Sequence, residues 1–408
     1  MIFSKFSQSS QVLVAAAMVS IALGSIHAFS ILLVPLETLF SSTRSAVSLT
    51  YSLALVSLSI AVLFGHLLYD KIAPSTFFIT TCSLAAIGAL VAGLANSLWV
   101  VWFGYGVLFG AANGLGYGFG LQLVAQAYPK REGFAMGIVT AAYALGAVLS
   151  PTIFNAIIAF FDFRAVMIVL AVTLLIVGFL SKVMLQRAGA VFRSVEQGEI
   201  STSASYKSQV LLWIGYFGGV LAGLMVIGHS AGIAASLQSD IAPWLAPMVI
   251  AFFNLIGSLV GGRLVDKIRP AGLLAVLAVI TTGALISLVM FGKMGGLFFS
   301  MAVIGFAYGG TIAAYPAAIA KLFHVRHIAK IYGRVFTAWG CAGLLGPWLA
   351  GYLFDVNHDY QLALLTAACF GLLSILAMIV LTERHRLRLR PARKESAPTS
   401  EAPQSPAP

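Results

Sequence analysis

Within the apolar runs of this chain, the side chains capable of chemistry are few: imidazoles, phenols, amides and one guanidinium. His27 and His229 each lie inside such a run; an imidazole titrates near neutral pH and can carry a coupled proton or meet a carboxylate. A helix-bridging hydrogen bond is the competing role for either. Asn113 and Tyr117 are four residues apart, and Tyr308, Thr311 and Tyr315 follow at spacings of three and four, so each set shares one helical face. A phenol with an apolar body and a hydroxyl tip suits an organic molecule, and it suits aromatic packing equally. Gln122 and Gln126 form a further helical pair that suits interhelical hydrogen bonds. Arg334 lies about one turn inside its run, where a charge needs protein, water or an anion beside it; snorkelling or gating would satisfy it as well. The 13 acidic residues fall almost entirely in loops or the tail. Paired acids, a nucleophile with its base, and metal-ligand spacings are all missing at mid-span, which argues against an enzyme, a cofactor or a metal site. Cys82, Cys341 and Cys369 sit singly in apolar runs and read as small core residues.

The elements that must position these groups follow from composition. Sixty per cent of the 408 residues are hydrophobic and 9% charged, against about a quarter charged in soluble domains. A helix needs roughly 20 apolar residues to cross the hydrocarbon core. Runs near 11–36, 46–68, 75–95, 98–127, 133–160, 165–185, 207–235, 243–264, 270–291, 294–322, 328–354 and 361–382 predict an all-α protein with about twelve transmembrane helices in a lipid bilayer. The first run continues to about Leu39, longer than the h-region of a signal peptide, and is expected to remain as a helix. With both termini cytoplasmic, every Lys and Arg except Arg44, Arg164 and Lys293 falls on the inner side. The +11 balance therefore reads as membrane anchoring, with no nucleic-acid partner.

The phrase "GHLLYDKIAP" at 65–74 returns as "GGRLVDKIRP" at 261–270. Asp70 and Asp266, Gly137 and Gly333, Pro151 and Pro347, and also Tyr143 and Trp339, are each 196 residues apart, which implies duplication of a six-helix unit. The predicted division is a first bundle at 1–186, a polar cytoplasmic linker at 187–206, a second bundle at 207–385 and a disordered cytoplasmic tail at 386–408 rich in Pro, Ser and Ala. The glycines of "FGAANGLGYGFG" at 109–120 follow no strand and lie inside an apolar span, so close helix packing fits them better than a phosphate loop.

The repeated phrase resembles the signature loop of the major facilitator superfamily, Gly-x-x-x-Asp-Arg/Lys. The second copy matches at Gly262, Asp266 and Lys267; the first has His66 at the glycine position, with Gly65 one residue early. The resemblance covers nearly the whole chain and implies two pseudo-symmetric six-helix bundles that rock about a midplane site, without a requirement for oligomers. It makes Asp70, Lys71, Asp266 and Lys267 gate candidates on the cytoplasmic side, solvated turn charges being the alternative. "YGRVFTAWGCAGLLGP" is similar to the branch holding monocarboxylate transporters and oxalate/formate antiporters. That branch implies a small organic acid as substrate, with protons as a coupling ion. Its monocarboxylate members have an Asp and an Arg four apart in the eighth helix, where this chain has Asn254 and Ser258. Its oxalate exchangers have a Lys where this chain has Trp339, which disfavours oxalate. Export of neutral or amphipathic compounds on the same fold is the alternative function.

Overall fold

The computed structural model describes residues 7–129, 132–192, 206–237, 242–292, 296–323 and 328–389. Its long helices, in chain order, are α1 (Gln8–Phe40), α2 (Arg44–Tyr69), α3 (Pro74–Gly93), α4 (Leu98–Ala127), α5 (Glu132–Phe160), α6 (Phe163–Arg187), α7 (Tyr206–Leu237), α8 (Leu245–Lys267), α9 (Pro270–Phe291), α10 (Leu297–Phe323), α11 (Ile328–Asn357) and α12 (Gln361–Leu389). Eleven of the spans among the described residues are long and apolar enough to cross a membrane, all except α11. Most of the linker and the whole of 390–408 lie outside the described residues. Strands are absent among the described residues.

Each boundary has a local cause. Pro74 and Pro270, again 196 apart, open α3 and α9, where a missing N–H costs nothing. Asp162 caps α6 by accepting from the Ala165 N–H at 3.0 Å. In α1 the α-helix tightens to 3-10 over Ser25–Leu32 before recovering at Leu33. Pro35 explains the change: it offers no N–H to the Ile31 carbonyl and crowds it, so the preceding turns shift to i+3 bonding.

The helices pack in matching sets. α1 lies on α5, α2 on α4 and α3 on α6 in the first half; α7 lies on α11, α8 on α10 and α9 on α12 in the second. Between the halves α2 meets α11, α5 meets α8, and the 3-10 stretch of α1 meets α7. Small residues permit the approach: a Cβ at Gly24 would overlap the Tyr143 carbonyl, and one at Gly146 the Ile21 carbonyl, so α1 and α5 touch backbone to backbone. Gly110 and Gly114 do the same for α4 against Ala54 and Leu58 of α2.

On α11, Arg334, Thr337, Cys341, Leu345, Trp348, Tyr352 and Val356 form one exposed stripe at spacings of three and four. An exposed stripe carrying Leu, Trp and Tyr on a long helix suits contact with lipid. Cys341 is therefore outward, and Cys369 of α12 is exposed too; only Cys82 is the buried residue expected of all three. In lipid both faces of a helix are apolar, so composition does not separate core from membrane surface.

Candidate functional site

The 3-10 stretch of α1 carries His27 toward α2 and α5. Its Nδ1 shares a hydrogen bond with the Tyr51 hydroxyl at 2.7 Å, and its ring stands edge-on to Tyr143, centroids 5.6 Å apart. Tyr51 is fully buried and held by stacking on Phe29 (5.4 Å, 7° between planes), which in turn packs on Tyr105. The Tyr143 hydroxyl donates to Asn113 Oδ1 at 2.9 Å, and Asn113 Nδ2 donates to the Leu23 carbonyl at 2.7 Å. Asn113 thus locks α4 to α1 and aims Tyr143; it is buried and its amide faces protein. Tyr117 packs on Tyr143 (4.8 Å) and shares a hydrogen bond with Thr140. His27, Tyr117 and Tyr143 keep part of their surface exposed.

The second half contributes Tyr308 and Trp339. Trp339 Nε1 donates to the Tyr308 hydroxyl at 3.2 Å, and Trp339 stacks on Phe336 at 5.5 Å. Tyr308 lies within electrostatic range of Tyr51 and Tyr143 of the first half, so the phenols of both halves face one region. Ser258 donates to Asn254 Oδ1 (3.3 Å) and to the Gly309 carbonyl (3.2 Å). That bond ties α8 to the residue after Tyr308, and both side chains are partly exposed.

Other named residues lie elsewhere. Tyr315 shares a helical face with Tyr308 but is buried, stacked on Tyr216 at 4.0 Å with its hydroxyl toward the Leu212 carbonyl, so it belongs to the packing of α7, α10 and α12. Arg334 is on that exposed stripe, whereas Trp339, five residues on, is buried; the exposure of Arg334 suits a snorkelling arginine. His229 does not match His27: the separation is 202, not 196, which places it about 9 Å farther along its helix. It is fully buried. Its Nε2 donates to the Pro347 carbonyl at 2.8 Å with Ser48 at 3.2 Å, and its Nδ1 faces the Tyr360 hydroxyl at 3.1 Å. A carbonyl only accepts, so Nε2 holds the proton, and the neutral ring receives the Tyr360 proton at Nδ1. Glu37 is ion-paired with Arg44. Asp70, Lys71 and Lys267 are exposed, with no ion pair among the described residues; the Asp266 side chain lies outside the described residues.

Spacing analysis missed Tyr51 and Tyr105. Tyr51 sits near the start of α2, away from mid-helix, and only the fold brings it to His27. The Tyr105 hydroxyl is buried and has no partner among the described residues; it lies in a π-helical stretch of α4 at Trp102–Phe109, which no local sequence signal announces. Metal-holding groups of three or more His, Cys, Asp or Glu are absent among the described residues.

Comparison with known proteins supplies the family. The family model of the Major Facilitator Superfamily matches residues 13–301 and 282–408. The uncharacterised MFS-type transporter YhjX of Escherichia coli (strain K12) is 26% identical over 79% of this chain and 83% of its own. Monocarboxylate transporter 13 of Rattus norvegicus is 25% identical over 86% of this chain and 83% of its own, in keeping with the expected branch. A crystal structure of a bacterial homologue of the human lysosomal transporter Spinster, inward-facing and occupied, superposes with a TM-score of 0.72 at 14% identity, covering 92% of this chain and 97% of that one. At that identity the likeness establishes the fold alone. Matching over nearly its entire length, and built as two six-helix halves, the chain belongs to the Major Facilitator Superfamily.

Proposed function

We propose that this protein is a secondary active transporter that moves a small, monocarboxylate-like organic acid together with a proton by alternating access. We place it in the cytoplasmic membrane, with both termini on the cytoplasmic side and a monomer as the working unit. The observation that carries the reading is His27: a partly exposed residue, hydrogen-bonded to a buried phenol that interacts electrostatically with Tyr308 of the other half. A carboxylate in a low-dielectric site needs a compensating charge. Of the two nearest alternatives, Arg44 is ion-paired with Glu37 and Arg334 lies on the exposed stripe of α11. Protonated His27 supplies the charge, and the Tyr308 hydroxyl, which accepts from Trp339, is the donor that orients the anion. Proton and anion then favour each other's binding by the same factor, and the pair crosses as a neutral load. Resemblance to monocarboxylate transporter 13 supports the substrate class.

The test is uptake of labelled monocarboxylates into proteoliposomes under an imposed pH gradient. Uptake driven by an acidic exterior, and lost in His27→Ala, is the expected result. Uptake indifferent to the gradient and to His27 removes the imidazole from the mechanism. A second reading, export of neutral or amphipathic compounds, draws on Asn254 and Ser258 at the family's charged positions and on the aromatic wall of Phe336, Trp339 and Tyr308. Flux of carboxamides with no flux of the acids would select it.

A further inference from the structure

The hydrogen bonds that join the halves converge at the end of the bundle opposite the chain termini. Asp355, two residues from the end of α11, accepts from the Arg44 N–H at 2.9 Å and from the Ser45 N–H at 2.8 Å. These are free donors of the first turn of α2, so a carboxylate of one half caps a helix of the other, where the helix dipole favours negative charge. Thr43 of the same half caps only the next donor, Ala46, at 3.4 Å. Arg44 also donates to the Tyr360 hydroxyl at 2.8 Å and lies 4.1 Å over the Phe354 ring. Two glycines make the space: a Cβ at Gly351 would come within 2.9 Å of Ser45 Cα, and one at Gly232 within 2.5 Å of Tyr360 Oη.

We propose that the Asp355 carboxylate, seated on the N-terminus of α2, is the releasable latch of this end, and that the charge pair beside it is not. The Arg44–Glu37 pair joins α1 to α2 within one half, its side chains 10% and 19% exposed, and can travel with that half unbroken. The Tyr360–His229 bond likewise stays within the other half. Among the described residues, opening this end breaks the two bonds to Asp355, the Arg44–Tyr360 bond, the Arg44 contact on the Phe354 ring, the hydroxyl contacts Ser30–Ser230, Ser48–His229 and Ser52–Trp348, and the Thr152–Met248 contact. Releasing the latch sends one carboxylate and two backbone donors into water and strands no buried charge, which keeps closed and open states close in free energy. Burial holds the Tyr360 hydroxyl above the ordinary phenol range, against the pull of Arg44, so it stays protonated and able to donate. The assignment needs no knowledge of the substrate.

The experiment places spin labels at exposed Phe161 of the first half and Asn357 of the second, in a background with Cys82, Cys341 and Cys369 replaced by Ala. Double electron–electron resonance then reads the distance distribution across this end. Asp355→Ala should raise the ratio of long to short distances by about fivefold, the effect of a lost helix cap. Asp355→Asn should give a smaller rise and Tyr360→Phe a smaller one still, with Glu37→Gln at wild-type ratio. An unshifted distribution in folded Asp355→Ala overturns the proposal; if that variant does not fold, an unshifted Asp355→Asn or Tyr360→Phe does so. A rise in Glu37→Gln equal to that in the Asp355 variants also overturns it, by making the charge pair part of the latch.

Discussion

In the first half, His27, Tyr51, Asn113, Tyr117 and Tyr143 form one cluster of hydrogen bonds and ring contacts. At the positions 196 residues later stand Gly223, Pro247, Gly309, Ala313 and Trp339. The two halves share their packing partners, but where the first carries these polar groups the second carries small or apolar residues. The exchange is spatial as well as chemical: a Cβ at Gly223, the counterpart of His27, would overlap the Tyr308 ring. A phenol from α10 thus fills in one half the space that an imidazole from α1 fills in the other. Tyr308 itself corresponds to Ala112, so neither residue has an equivalent across the duplication. A titratable group on one side and a neutral aromatic wall on the other suit a substrate with two unlike ends, such as a carboxylate with a short organic body.

That comparison can be broken at several depths. The shared skeleton is the most sensitive: Gly146→Val drives a side chain into the Ile21 carbonyl of α1, with no folded protein recovered by size-exclusion chromatography, since overpacking even a tolerant core costs about 1–3 kcal/mol. His27→Ala leaves the melting temperature near wild type and lowers gradient-driven uptake by about a hundredfold, the low end of a general acid–base contribution. Tyr51→Phe keeps the ring stacked on Phe29 and removes only the hydroxyl. A loss of one hydrogen bond, about 1 kcal/mol, predicts a decrease in kcat/KM of roughly fivefold. Arg334→Gln, on the exposed stripe of α11, changes carboxylate uptake less than about twofold. A large, carboxylate-selective loss there would return the arginine to the substrate path and undo the division between the halves.

Helix number and limits were legible because a bilayer imposes a length and a composition that local sequence must meet. α9, predicted at 270–291, spans Pro270–Phe291, α4, predicted at 98–127, spans Leu98–Ala127, and α10 differs from its predicted range only at the ends. α12 runs on to Leu389 because a basic, amphipathic continuation needs no hydrocarbon to stay helical. The site was legible in part. Helical spacing placed Asn113 and Tyr117 on a common face, and the 196-residue offset paired Tyr143 with Trp339. The same spacing grouped Tyr315 with Tyr308, although ten ångströms of helix rise separates a buried core from the meeting surface.

The sequence by itself determined the membrane class, the duplicated six-helix plan and the scarcity of interior charge, since each rests on counts and periods read along one chain. Tertiary structure decided which of those interior groups meet. His27 finds Tyr51 across 24 residues, and Asp355 finds the start of α2 across 311. The face a helix turns to lipid, to its neighbour or to the opposite half depends on where other helices pack. In a chain apolar on every side, hydrophobic periodicity carries little record of that choice.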